Sequence, residues 1–182
     1  MVTIIFESHG TTLDNEQKLA SGRYDVALSP LGEKQAYELG VRHKNEHFDA
    51  IFVSNLQRSY KTAEIAFAGR DFQIVKDARL TECDYGDFTR LPSSKIETRR
   101  VEFVDKPFPK GESYLQTSVR MKIFLQDLLK NYTGKKVMIV GHRATQYGLE
   151  HWINGVPFKD AVTAPWYWQP GWTYFLHNLS AH

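Results

Sequence analysis

A chain of 182 residues, 42% hydrophobic, with 23 basic and 21 acidic side chains and a net charge of +2, is expected to fold as one globular domain over residues 1–182. The charges are mixed along the chain, which excludes a basic face for nucleic acid or an anionic membrane, and no apolar run approaches the roughly 18 residues of a membrane span. The single cysteine, Cys83, excludes an internal disulfide, and the N-terminus lacks the basic start and cleavage site of a signal peptide, so the expected location is cytoplasmic.

Residues 2–6 are an apolar run, read as a buried strand, which the chain leaves through a small polar turn carrying His9. Residues 13–28 are polar, contain Ser21-Gly22-Arg23 and read as a loop. Ser29 is the N-cap of a helix with Pro30 in its first position, Glu33 in its first turn, and Ala36, Leu39, Gly40 and His43 on one face. Residues 48–53 are a second buried strand. It ends at Ser54, and a helix carrying Arg58 at its start runs on to about residue 68 with Ala63, Ala66 and Phe67 at helical spacing. Residues 72–75 form a third strand, 78–86 have no clear period, and 95–101 read as a short basic helix before the breaks at Pro107 and Pro109. Gly111-Glu112-Ser113 precedes a long helix to about residue 131, with an apolar stripe read as Leu115, Val119, Ile123, Phe124, Leu128 and Leu129.

Residues 137–140 repeat the grammar of the first strand and lead into Gly141-His142. A helix over 145–154 stops at Asn154-Gly155-Val156-Pro157, and the aromatic tail ends in a strand over 172–176. Strands alternating with helices predict an α/β protein, a three-layer α/β/α sandwich around a mixed, mostly parallel sheet.

Such a sheet presents the carboxyl ends of its strands on one rim, where ligands bind. His9, Ser54, Arg58, Glu82 and His142 all follow strands and fall on that rim, with Asn15 beside them. The mixture suits a phosphate monoester. A guanidinium fork matches phosphoryl oxygens, and helix N-termini add N–H donors. One neutral imidazole can attack phosphorus, a second can stabilise the transition state, and a protonated carboxyl group can supply the leaving group's proton.

Six stretches in order resemble the histidine phosphatase superfamily, also called phosphoglycerate mutase-like. They are Ser8-His9-Gly10-Thr11-Thr12 with Asn15, Leu28 to Gly32 with Gln35-Ala36, Ser54 to Ala63, Leu80 to Gly86, Gly111-Glu112-Ser113 and Gly141-His142. The resemblance is to its small phosphatases and implies a phosphomonoester hydrolase that needs no metal or cofactor and takes a small phosphorylated metabolite. It implies His9 as phosphorylated nucleophile, Glu82 as proton donor and His142 as second pocket histidine, with Arg58 and Asn15 at the phosphate. A mutase of the family carries extra loops for which this length leaves little room.

Two departures matter. The family's arginine before the nucleophile is Ser8 here, and Arg143 stands where a glycine is usual after the second histidine. Loss of a charged hydrogen bond of about 1.5–3 kcal/mol slows a reaction roughly tenfold or more. Arg143, or Arg23 from the polar loop, is the expected occupant of the vacated space. The rival expectation is a non-catalytic relative that binds phospho-ligands as a regulatory module. Tyr85, Phe88, Phe103, Phe108, Trp166, Tyr167, Trp168 and Trp172 are read as core, pocket wall or the surface of a homodimer, and Cys83 as a packed residue.

Overall fold

In the computed structural model, which describes residues 1–179, the chain runs β1 (Val2–Ser8), α1 (Leu13–Glu16), α2 (Pro30–Arg42), β2 (Ala50–Val53), α3 (Gln57–Ala66), β3 (Ile74–Lys76), α4 (Ser93–Glu97), α5 (Tyr114–Tyr132), β4 (Lys136–Gly141), α6 (Arg143–Trp152), α7 (Phe158–Thr163) and β5 (Trp172–Leu176). Residues 180–182, the end of the expected domain, lie outside the described residues. The strands form one sheet in the order β3-β2-β4-β1-β5. The first four are parallel and β5 adds to β1 antiparallel.

Parallel neighbours need crossovers, and the helices that supply them cover both faces. On one face Leu39 of α2 and Ala63 and Ala66 of α3 pack on Ile51, Val53, Met138 and Val140. On the other, Met121, Phe124, Leu125 and Leu128 of α5 and Leu149 and Trp152 of α6 pack on Val2, Ile4, Phe6, Val137 and Ile139. This is the expected three-layer sandwich. Register then sets the site. Ser8 lies opposite Gly141, and Val53 opposite Val140, so β1, β2 and β4 stop together. His9, Ser54 and His142 are the next residues along.

The helix expected after Ser29 forms, with the Ser29 hydroxyl accepting the Gly32 N–H at 3.2 Å. The segment read as a loop over 13–28 instead starts with α1. Thr12 and Asn15 make a reciprocal cap there, each side chain accepting the other's backbone N–H at 3.0 Å. The basic helix is shorter and earlier than expected, and α7 was not expected at all.

Half of the stripe assigned to α5 is wrong: Phe124, Leu128 and Leu129 pack on the core, and the other three residues do not. Leu115, Val119 and Ile123 are 40%, 49% and 48% exposed, while Tyr114, Thr117, Ser118, Met121 and Leu125 face inward with Phe124 and Leu128. Two hydroxyl residues disguise the buried face. Ser118 is tolerated there because its hydroxyl and carbonyl both accept the Trp152 Nε1–H, at 2.9 and 3.0 Å. A third apolar cluster under residues 83–108 contains Cys83, Phe103 and Phe108, with the two rings stacked at 3.9 Å, so these residues are core.

Candidate active site

His9 leaves β1 into a turn that only glycine can continue. A Cβ on Gly10 would lie 2.5 Å from the Gly32 carbonyl oxygen, because the turn runs against the first turn of α2. The Gly10 N–H donates to the Thr62 hydroxyl at 3.0 Å, and that hydroxyl donates to the Arg58 carbonyl at 2.6 Å, which ties the turn to α3. His9 Nδ1 lies 2.7 Å from the Gly10 carbonyl. A carbonyl only accepts, so Nδ1 carries the proton and Nε2 keeps a lone pair. Burial, helped by the Arg58 guanidinium, pulls the ring's pKa down to about 3, and the imidazole is neutral across the physiological range.

His142 caps the start of α6, 2% exposed, with its ring centroid 5.2 Å from that of His9. Its Nε2 is 2.7 Å from the Ser54 hydroxyl. That hydroxyl already accepts the Leu56 N–H at 3.2 Å, so its own proton is free to donate to Nε2. The contact fits either tautomer of His142, because a hydroxyl both donates and accepts, and Nδ1 is buried. Burial, then Arg58 and His9, hold His142 well below the usual histidine value, so it too is neutral.

Arg58, in the first turn of α3, is 3% exposed. Its two terminal nitrogens donate to the carbonyls of Gly22, at 2.6 Å, and Tyr24, at 3.0 Å. Burial lowers its pKa and Glu82 opposes that shift, but a guanidinium starts too high to lose its charge. Glu82 follows a short 3-10 turn at Ala78–Leu80 and is 7% exposed. Burial raises its carboxyl group above the usual carboxylate range, against the pull of the Cys83 N–H at 2.7 Å and of Arg58. Arg120 of α5, which sequence reading missed, holds this segment by donating to the carbonyls of Arg79, Thr81 and Glu82. Nothing in the local sequence marks that arginine.

These groups line one cleft with two lobes. The first, about 420 Å³, contains Ser8, His9, Asn15, Gln35, His142, Arg143, Trp166 and Trp168. The second, about 200 Å³, contains Arg58, Glu82, Tyr85, Ser93, Ile96 and Glu97 and shares His9, Asn15 and Arg143 with the first. Ser8, His9, Asn15, Arg58, Glu82, His142 and Arg143 therefore meet. Asn15 spends its side-chain oxygen on the α1 cap, leaving its amide N–H groups for the cleft. Arg143 is ion-paired with Glu97 at 2.9 Å, and its buried Nε has no partner. Arg23 does not line the cleft. It is paired with Glu112 at 2.7 Å and donates to the Glu82 carbonyl, so of the two arginines expected to fill the space at Ser8 only Arg143 is in reach. Of the aromatics, Tyr85, Trp166 and Trp168 are wall, whereas Phe88, Phe103 and Phe108 pack together. Cys83 is fully buried and burial pushes its thiol up, as fits a packed residue. Among the described residues no group of three or more His, Cys, Asp or Glu side chains could hold a metal ion, and no helix is long and apolar enough to cross a membrane.

Two neutral imidazoles, a buried guanidinium and a buried carboxyl group on the rim of a mostly parallel sheet define an α/β enzyme of the phosphoryl-transfer type. The sequence profile of branch 1 of the histidine phosphatase superfamily matches residues 4–166, and the chain belongs to that family. It is 33% identical over 155 residues to the uncharacterized phosphatase PhoE of Bacillus subtilis, covering 85% of this chain and 79% of PhoE. It is 32% identical over 151 residues to phosphoserine phosphatase 1 of Hydrogenobacter thermophilus, covering 78% and 71%. The solved structure of YhfR from Bacillus stearothermophilus matches with a TM-score of 0.82 over 93% of this chain and 88% of that one, at 24% identity, a likeness of fold. The chain is a phosphatase of this family.

Proposed function

We propose that this phosphatase hydrolyses the monoester of a small phosphorylated metabolite through a phosphohistidine at His9. The observation that carries the reading is the His9 ring. Its Nδ1–H is committed to the Gly10 carbonyl, so a neutral Nε2 is left for a cleft that also holds Arg58, Glu82 and His142. Nε2 attacks phosphorus, the bond from phosphorus to the ester oxygen breaks, and that oxygen takes the proton of the Glu82 carboxyl group. A water molecule then attacks the phosphohistidine and gives its proton to the Glu82 carboxylate. The P–N bond breaks, inorganic phosphate leaves, and His9 and Glu82 return to their starting states. No step uses a metal or cofactor.

Arg58 and the His142 imidazole stabilise the charge on the phosphoryl oxygens, with the Asn15 amide and the Ser8 hydroxyl as neutral donors. Arg143 supplies the second cation that Ser8 cannot, exchanging Glu97 for the phosphate. The buried Nε without a partner supports this exchange, because a phosphoryl oxygen would satisfy it. A single buried cysteine supports a reducing, cytoplasmic location.

The test is turnover of p-nitrophenyl phosphate and a panel of phosphometabolites between pH 5 and 8 by wild type and His9→Ala. Turnover that His9→Ala abolishes is the expected result. No turnover of any ester, with inorganic phosphate still binding, would favour a phospho-ligand binding module, the reading that Ser8 supports.

A further inference from the structure

The strap between α7 and β5, residues 164–171, carries Trp166 and Trp168 across the mouth of the lobe that contains His9 and His142. Trp166 is fixed on three sides. Its Nε1–H donates to the Gln146 side-chain oxygen at 2.8 Å, its ring lies 6.1 Å from that of Trp172 at an interplanar angle of 30°, and the Arg143 guanidinium sits 5.7 Å from its centroid. A ring held this way offers a rigid face, and stacking on it costs little ordering entropy. Trp168 is 61% exposed, with the Arg42 guanidinium 5.9 Å from its centroid. Behind the strap a further cavity of about 370 Å³ shares Trp166 and is walled mainly by apolar groups such as Tyr147, Pro165 and Trp172, and also by Gln146, Gln169 and Glu150, whose carboxylate accepts the Tyr174 hydroxyl at 2.6 Å. The charge of the mouth is as informative. Among the described residues that line this lobe, Arg143 is the only one with a formal charge, and it is paired with Glu97.

We propose that Trp166 and Trp168 form the leaving-group subsite, and that the substrate is a monophosphate ester whose leaving group is an uncharged aromatic ring system rather than a small carboxylate- or ammonium-bearing one. This rests on the phosphatase reading, which commits Arg143 to the phosphoryl group; the other cation beside the indoles, Arg42, is already paired with Glu7 at 3.0 Å, so a leaving-group carboxylate meets no free counter-ion. Two indole faces and the largely apolar cavity behind them match a flat ring; Arg42 and Glu150 beside them are already engaged with Glu7 and Tyr174, so a compact charged group would lose hydration there without a free partner in return.

The test compares benzyl, cyclohexylmethyl and n-propyl phosphate. All three release a primary alcohol, so the chemical step is about equally demanding and the ratio of kcat/KM values reports the subsite. Wild type is expected to favour benzyl phosphate over both others about tenfold. Trp168→Leu and Trp166→Leu should each bring the ratio to within about twofold. The exposed Trp168 keeps the test valid if Trp166→Leu disturbs the strap. Equal kcat/KM for the three esters in wild type, or a preference that survives both substitutions, would overturn the subsite. Calorimetric binding of benzylphosphonate and n-propylphosphonate, which cannot turn over, separates the two readings. Tighter binding of benzylphosphonate with no turnover of any ester refutes the phosphatase chemistry and supports the subsite. Turnover without any aromatic preference refutes the subsite alone.

Discussion

Acid should destabilise this protein through the imidazole that makes it reactive, and the effect can be worked from His9. The ring has the ordinary value of 6.5 in the unfolded chain and about 3 in the folded one. A depressed folded value means that the unfolded state binds the proton first. The His9 contribution to stability is therefore full above 6.5 and is lost as pH falls toward 3. At pH 4 the gap from 6.5 is roughly 2.5 units, and at 1.36 kcal/mol per unit the loss is about 3 kcal/mol. His9→Asn keeps an N–H for the Gly10 carbonyl but cannot titrate. Urea unfolding of both proteins at pH 7 and pH 4 isolates the term, because the other acid-sensitive groups largely cancel in the difference. Wild type should lose about 3 kcal/mol more than His9→Asn on going from pH 7 to pH 4. Equal losses would mean that His9 is not held neutral by its surroundings, and the case for it as a resting nucleophile would fall.

Glu82→Gln keeps an acceptor for the Cys83 N–H and removes the proton. Turnover of alkyl phosphates should drop about 10²–10⁴-fold, while the first-turnover burst of p-nitrophenolate, an anion that leaves unaided, should keep its rate before slow hydrolysis of the phosphoenzyme limits steady turnover; equal losses in the first turnover of both esters would assign Glu82 a structural role. In wild type, kcat/KM for alkyl phosphates should fall as pH rises through the raised Glu82 value, since ionisation removes the donor. Arg143→Ala should lower kcat/KM roughly tenfold or more, the worth of one charged hydrogen bond, while unchanged phosphate affinity and turnover would remove Arg143 from the site. Gly10→Ala should cost stability by about 1–3 kcal/mol in urea unfolding, because its Cβ meets the Gly32 carbonyl at 2.5 Å.

The layers and the rim were legible in the sequence because they depend on local signals. Short apolar runs ending in polar turns mark β1, β2 and β4, and register alone then brings His9, Ser54 and His142 together. Ser29-Pro30 marks the start of α2 in the same way. What was not legible depends on partners remote in sequence. The buried face of α5 includes Thr117 and Ser118, and Ser118 is accommodated by Trp152, which no window on α5 contains. The role open to Arg143 is set by Glu97 on α4, a pairing that spacing cannot show. Arg120 supports Glu82 from the middle of α5 by bonds to carbonyls, which any residue could offer. The bounds of the short helix within residues 89–110 were not legible because this segment folds around its own aromatic cluster instead of laying one face on the sheet.

The most direct measurement is rapid quench of the protein with a substrate carrying radiolabelled phosphate, followed by digestion and mapping of the label. The account predicts a transient, acid-labile and base-stable phosphoryl group on His9, absent in His9→Ala and accumulating in Glu82→Gln with p-nitrophenyl phosphate, where its hydrolysis lacks a base. Steady turnover with no phosphoenzyme under any quench condition, or label on another residue, would contradict it.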